Sequence, residues 1–259
     1  MSKSKPVLTS SLGKKLIMSL TGLFLCTFLV VHLIGNLQLF KDDGGYAFNT
    51  YADWMTSFPP IKVVSYLLYI SVIVHAVFAL ILTTKNKAAR PVGYSQYNGK
   101  AGSAWSSRNM GILGTVLLVF IITHMQNFWY PYKFGSTPYV EYRTEVATGN
   151  QEIITSDELP SNYNGYVQTE GNGIETIKSK DLYRQVATTF QNPLLVLLYL
   201  VGMAALSFHL IHGFKSAFQT IGWSHRRYNV IIRWVGVWIF GVVIPILFAL
   251  MPLYFYFVK

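Results

Sequence analysis

The sequence predicts an all-α integral membrane protein of five transmembrane helices. Three observations carry that expectation. Of 259 residues, 52% are hydrophobic and only 12% charged, about half the charged share of an ordinary soluble domain. The apolar residues gather into five stretches, 16–40, 63–84, 110–130, 193–215 and 230–258, each near the roughly 20 residues a bilayer crossing needs. The charges are sorted along the chain in the way a multi-pass topology demands. Length alone allows one or two soluble domains, but the spacing of the apolar runs overrules it, and residues 1–259 read as a single membrane domain.

The first stretch is too long for a cleaved leader, and His32, Asn36 and Gln38 stand where a small-residue cleavage site would be, so it reads as a span. The single cysteine, Cys26, lies inside it. It excludes an intrachain disulfide and reads as a small packing residue. Residues 131–189 are polar, with Gly165, Gly171 and Gly173, and read as a long extracytoplasmic loop with short strands around 139–146. An ordered loop of that length usually has a role. Asn192 followed by Pro193 suits a helix entry. Pro245 and Pro252 should bend the last span and leave carbonyls for neighbouring helices to satisfy. Trp54, Trp129, Tyr130, Tyr132, Tyr254 and Tyr256 fit one interfacial belt, and Trp105, Trp223 and Trp234 the other. The chain shows neither duplicated halves nor a low-complexity tract.

The formal charge is +10. The side bearing the amino terminus carries Lys3, Lys5, Lys14, Lys15, Lys85, Lys87, Arg90, Lys100, Arg108, Lys215, Arg226, Arg227 and Arg233, with no Asp or Glu. Every carboxylate falls on the other side, in the 41–62 loop or the 131–189 loop. The positive-inside rule makes the amino terminus cytoplasmic, and five spans leave Lys259 outside. The basic face has two readings: topology with anionic lipid, or a docking surface for an acidic soluble partner. Segregation by topology also removes the case for nucleic acid as the partner.

An ionisable side chain inside a span is costly and is a functional candidate. The first four spans carry His32, His75, His124, and His209 with His212; the fifth carries none. Depth groups them. At 1.5 Å per residue, His32 and His124 lie roughly 24 and 21 Å from the cytoplasmic starts of their spans, and His75 and His209 roughly 13 and 9 Å from theirs. An outer tier and an inner tier result, each drawing on two helices. That arrangement suits two stacked haems inside a bundle of the first four helices, held by axial imidazoles. Zinc fits poorly, because it wants four compact protein ligands or an open position, and no Asp or Glu shares either depth.

Some neighbouring residues admit more than one reading. Gly22, Gly35, Gly111, Gly114, Gly202 and Gly213 permit close helix approach or room for a flat macrocycle. His212 lies on a similar helix face to His209 and is the alternative inner ligand. His225 sits in a basic loop and reads as facing the aqueous interface. Lys215, Arg108 and Arg90 serve topology or pair with haem propionates.

Several stretches extend the argument: Ser11-Leu-Gly-Lys-Lys-Leu-Ile-Met-Ser-Leu-Thr-Gly22, His32-Leu-Ile-Gly-Asn-Leu37, Ser106-Ser-Arg-Asn-Met-Gly111, His124-Met-Gln-Asn-Phe-Trp-Tyr130, Phe208-His-Leu-Ile-His-Gly-Phe214 and Ser216-Ala-Phe-Gln-Thr220. In these the chain resembles the single-polypeptide, di-haem cytochrome b membrane-anchor subunit of succinate dehydrogenases and quinol:fumarate reductases. The resemblance covers nearly the whole chain and is weakest in 131–189.

The resemblance implies an electron-transfer subunit of the bacterial cytoplasmic membrane that passes electrons between an iron–sulfur subunit and menaquinone through two b haems. It implies a flavoprotein and an iron–sulfur subunit on the cytoplasmic face. It places a distal haem iron on His32 and His124 and a proximal one on His75 and His209, with the first histidine of the span-four motif as ligand. It implies a quinone site near the distal haem with an outer-side carboxylate. Asp53 is the candidate by position, followed by Asp42 and Asp43, with Gln38 and Asn36 as hydrogen-bonders. Succinate chemistry itself belongs to a partner, since the chain has neither a nucleotide-binding glycine pattern nor a four-cysteine cluster. The competing readings are a cytochrome b of another quinone-linked dehydrogenase and a haem-free transporter or scaffold.

Overall fold

The computed structural model describes residues 10–89, 105–135, 137–160, 163, 165 and 167–259; Lys3, Lys5, Arg90 and Lys100 lie outside them. Helix α1 (Ser11–Asn36) runs into a 3-10 turn (Leu37–Phe40), and the short helix α2 (Tyr46–Ser57) precedes α3 (Pro59–Ala88). After α4 (Trp105–Arg108), α5 (Met110–His124) continues through a π turn (Met125–Trp129) into α6 (Tyr130–Phe134). Strands β1 (Tyr139–Glu145), β2 (Gln151–Ser156), β3 (Val167–Gly171) and β4 (Ile174–Lys180) follow, then α7 (Leu182–Thr189) and α8 (Pro193–Thr220). The chain closes with α9 (Arg226–Trp234), a π segment (Val235–Val243) and α10 (Ile244–Phe257).

Five helical stretches, Ser11–Phe40, Pro59–Ala88, Met110–Phe134, Pro193–Thr220 and Arg226–Phe257, are long and apolar enough to cross a membrane. Only 6% of the most apolar part of Pro59–Ala88 is buried, so its Val63, Leu67, Ile70, Ile73 and Leu80 face outward. An apolar surface of that extent suits lipid as its solvent. The protein is therefore a multi-pass membrane protein. The helices exceed the apolar runs at several ends because Ser11, Lys85 and Arg226, though polar, are free to extend a helix into the interface.

The chain divides into two compact units. Unit 1 comprises Met1–Val31, Ser65–Val119 and Leu200–Phe248. It contains Lys and Arg but no Asp or Glu. Leu113 and Leu117 of α5 pack on Ala205 of α8, flanked by Met110, Val116 and Leu206. Phe214 stacks on Phe240 with centroids 4.6 Å apart. Pro245 offers no N–H to the carbonyl of Gly241, four residues back. The Ser207 hydroxyl of α8 donates to that carbonyl instead, as expected of a proline-interrupted span. Trp105, Trp223 and Trp234 are exposed in this unit.

Unit 2 comprises His32–Val64, Phe120–Tyr199 and Ala249–Lys259. Its antiparallel sheet has the order β2-β1-β4-β3, a fuller structure than strands at 139–146 alone. One face buries Val140, Tyr142 and Ile177 against Tyr46 of α2. The register pairs Val140 with Ser179 and Tyr142 with Ile177, so Ser179 shares that inward face. The other face holds Glu141, which receives hydrogen bonds from Tyr139 and Arg143 and an ion pair from Lys178 at 3.8 Å.

Helix α2 is locked to the sheet by Asn49, which is 0% exposed. Its amide nitrogen donates to the Tyr142 hydroxyl and to Asp181 Oδ1, and its oxygen accepts from the Tyr183 N–H. Asp181 in turn caps α7 by accepting from the Arg184 N–H at 3.0 Å. The entry to α2 is tight: Gly45 has φ +86°, and a Cβ there would lie 2.5 Å from Tyr183 Cβ, so only glycine fits. Asn192 Oδ1 accepts from the Leu194 N–H and caps α8, with Pro193 as its first residue.

Asn49→Ala removes three hydrogen bonds from a fully buried side chain and is expected to cost on the order of 3 kcal/mol. Ser207→Ala, which strands one carbonyl, should cost about 1 kcal/mol. Thermal unfolding in detergent, followed by circular dichroism, should rank the two variants in that order.

Candidate functional site

The structure brings the span histidines together in two pairs. In unit 2, His32 of α1 and His124 of α5 have ring centroids 5.8 Å apart at an interplanar angle of 89°. In unit 1, His75 of α3 and His209 of α8 have centroids 6.2 Å apart at 60°. All four residues are half-buried. Two imidazoles each bound to one metal at about 2 Å have centroids about 6 Å apart, so both separations fit a metal between the rings. Among the described residues no group of three or more His, Cys, Asp or Glu could hold a metal. Each pair thus brings two imidazoles together.

Three of the four rings have a neighbour at Nδ1. Thr21 Oγ1 lies 3.2 Å from His75 Nδ1, and its own proton has carbonyl acceptors in Ile17 and Met18. The His75 ring is then the donor, which leaves Nε2 as the basic nitrogen. The Tyr199 hydroxyl lies 3.4 Å from His124 Nδ1 and receives a hydrogen bond from Asn127. The Asn36 amide nitrogen lies 3.3 Å from His32 Nδ1, although its shorter bond, 2.7 Å, goes to the His32 carbonyl. His209 differs: its Nδ1 is buried without a hydrogen-bond partner. An orphaned polar atom in an apolar setting is costly.

The backbone around these pairs is shaped for close approach. A Cβ on Gly22 would lie 3.3 Å from His75 Cε1, so α1 comes to the ring at a residue without a side chain. At Gly35, one turn beyond His32, a Cβ would collide with the Tyr51 ring, and this contact sets α2 against α1. His124 is the last residue before the π turn Met125–Trp129, a distortion that re-aims side chains and recurs at functional sites. Pro131 withholds an N–H from the Asn127 carbonyl, and Gln185 of α7 donates to it at 3.1 Å.

His212 is half-buried on α8 outside the ring pairs. His225 caps α9, its Nδ1 accepting from the Arg227 N–H at 3.2 Å. Lys215 and Arg108 belong to unit 1.

The carboxylates separate by environment. Asp42 is exposed and pairs with Lys259 at 2.9 Å. Asp43 accepts from the N–H groups of Gly45 and Ala47 and starts α2. Gln38 Oε1 is buried and unpartnered. Asp53 is only 5% exposed. Its Oδ1 accepts from the Tyr132 hydroxyl at 3.1 Å, and its Oδ2 accepts from the Ser179 hydroxyl. Burial pushes its carboxyl above the ordinary range, against the pull of those hydroxyls and of the Lys180 charge. Tyr132 stands in the sequence as a belt aromatic, and nothing in the sequence marks Ser179, Lys180, Tyr199 or Thr21. Ser179 lies 126 residues from Asp53, a pairing that only the folded sheet makes.

The raised folded-state value has a fixed sign for stability. The contribution of Asp53 is fully present below its unfolded pKa of about 3.9 and is lost as pH rises through the folded value. Asp53→Asn keeps a neutral hydrogen-bonding group, so its thermal midpoint relative to wild type should rise with pH from about 4 upward. Melting curves of both proteins across pH 4 to 8 test this, and parallel curves would count against it. Comparison with protein-family models, with curated proteins and with solved structures finds no match to this chain.

Proposed function

We propose that the chain is the membrane-anchor and electron-transfer subunit of a succinate:quinone oxidoreductase, carrying two b haems between an iron–sulfur subunit and menaquinone. The observation that carries the proposal is the assembly of four span histidines into two pairs with metal-bridging separations. Haem iron, bound at each pair, would supply one-electron chemistry. His32 and His124 are the residues to hold the distal group, and His75 and His209 the proximal one. Thr21 orients His75 through Nδ1 and so presents Nε2, the usual outer-shell arrangement for a ligating imidazole. The pairing of its ring with that of His75 supports His209 over His212 as the fourth ligand.

Asp53 is the group to hold a proton for quinone reduction, with Gln38 Oε1 as an acceptor for a quinol hydroxyl. The absence of carboxylates from the sequence of unit 1 supports an acidic partner on that side. We assign that role to the flavoprotein and iron–sulfur subunits at the cytoplasmic face of a bacterial inner membrane. Succinate oxidation or fumarate reduction takes place on those partners.

Haem b per polypeptide, measured after pyridine extraction of the detergent-purified chain, should be two. His209→Ala should lose one haem and His212→Ala keep both; the reverse transfers the ligand role to His212. A well-folded preparation without haem would return the chain to the transporter or scaffold class. In washed membranes, Asp53→Asn should lower quinone turnover roughly tenfold to a hundredfold with both haem spectra intact. Unchanged turnover would remove Asp53 from the mechanism.

A further inference from the structure

The extracytoplasmic sheet has no role in the proposal above, yet its last strand ends against Asp53. Ser179, 0% exposed, donates its hydroxyl to Asp53 Oδ2. The next residue, Lys180, donates through Nζ to the Tyr132 carbonyl and sits 4.8 Å from the centre of the Tyr132 ring. Tyr132 holds the other carboxylate oxygen. Strand β4 therefore touches Asp53 once directly and once through Tyr132.

One feature separates this cluster from a merely structural buried acid. Both hydroxyls that hold the carboxylate have a second partner within reach. Ser179 Oγ also lies 3.0 Å from the Lys180 carbonyl, and the Tyr132 hydroxyl lies 2.7 Å from Thr56 Oγ1. On protonation of Asp53 each hydroxyl can turn to its alternative acceptor, and the new carboxyl proton can be accepted by the oxygen it faces. The network is satisfied in both states. Asp181, the other buried aspartate of this unit, is held differently: its Oδ1 accepts from a backbone N–H and from the Asn49 amide, donors that remain donors. Protonation there forfeits bonds with nothing to replace them, as expected of a cap.

We propose that β4 is a positioning arm for Asp53, Ser179 and Lys180 together setting the pH at which this buried carboxyl takes up and releases a proton. The step is an acid–base equilibrium, carboxylate plus proton to carboxylic acid, with no change in electron count. The charged and titratable groups around Asp53 are Lys180 of β4, Tyr132 of α6, Tyr142 of β1 and Tyr163 of the connection before β3. Lys180 is the only cation among these. It and the two hydroxyl donors favour the ionised form, and burial opposes it. Removing any of the three must therefore raise the pH at which Asp53 titrates. The inference rests on Asp53 as the quinone-site proton group only for its physiological meaning; the arm itself is a statement about the carboxyl.

The test is infrared difference spectroscopy of the full chain in lipid vesicles. A pH titration follows the carboxylic-acid carbonyl band that disappears in Asp53→Asn. Ser179→Ala should move its midpoint up by about one pH unit, a tenfold gain in proton affinity. Lys180→Met, at a half-buried position that tolerates the change, should move it up by less. Ser179→Thr and Lys180→Arg, which keep the hydroxyl and the charge, should restore the wild-type midpoint. A parallel pH profile of succinate-driven reduction of a soluble naphthoquinone by membranes should move with the band. If the band shifts and the turnover profile does not, the arm stands and the quinone-site reading of Asp53 falls. If the midpoint stays fixed in both Ser179→Ala and Lys180→Met, the arm is overturned and the contacts of β4 serve stability alone.

Discussion

A polar group carried into an apolar helix must find its partner inside the protein, because lipid offers none. The prolines show how this protein meets that constraint. Pro131 and Pro245 each follow a π segment, and each leaves the carbonyl four residues back without its usual N–H. Gln185 reaches the first of these, on Asn127, and Ser207 reaches the second, on Gly241. In both cases the donor comes from another element, so the irregular helix and its neighbour are fixed relative to one another. The first of these irregularities begins directly after His124. The geometry of a candidate ligand is thereby coupled to a glutamine of the extramembrane helix α7.

The same constraint organises the histidines. Four ionisable rings in apolar helices are tolerated only if each has a partner or a ligand. Thr21, Tyr199 and Asn36 occupy three of the Nδ1 positions, and the remaining ring, His209, keeps a buried nitrogen unpartnered. The rings come from different helices and pair with centroids 5.8 and 6.2 Å apart. Among the described residues neither pair is joined by a third His, Cys, Asp or Glu that could hold a metal.

Charge divides the molecule as sharply as polarity does. One unit carries cations without a single carboxylate; the other carries every Asp and Glu in the chain. Within that second unit the acids are not equivalent. Asp42 is spent on a surface ion pair, Asp43 and Asp181 on helix starts, Glu141 on the outer face of the sheet. Asp53 alone combines deep burial with hydroxyl partners that can reverse their roles. Its distinction is that both donors on its oxygens are hydroxyls, whereas Glu141 also takes the Arg143 guanidinium, and a hydroxyl can turn where a backbone N–H cannot.

Sequence alone determined what depends on composition and on distance along a helix. The five spans, their limits to within a few residues, the sorting of charge and the depths of His32, His75, His124 and His209 all follow from apolar length and a constant rise per residue. The Asn192–Pro193 entry to α8 was legible for the same reason, as a local rule about helix starts. Tertiary structure alone decided that the rings paired by depth turn close to one another, because rotation about a helix axis is set by packing rather than by depth. It also decided the helix inside the 41–62 loop and the four-stranded sheet, whose polar strands with mixed burial give only a weak period-two signal. Above all it decided the surroundings of Asp53. Ser179 reaches that carboxylate across more than a hundred residues of chain, and no local pattern encodes a hydrogen bond whose two ends meet only when a sheet closes over a helix.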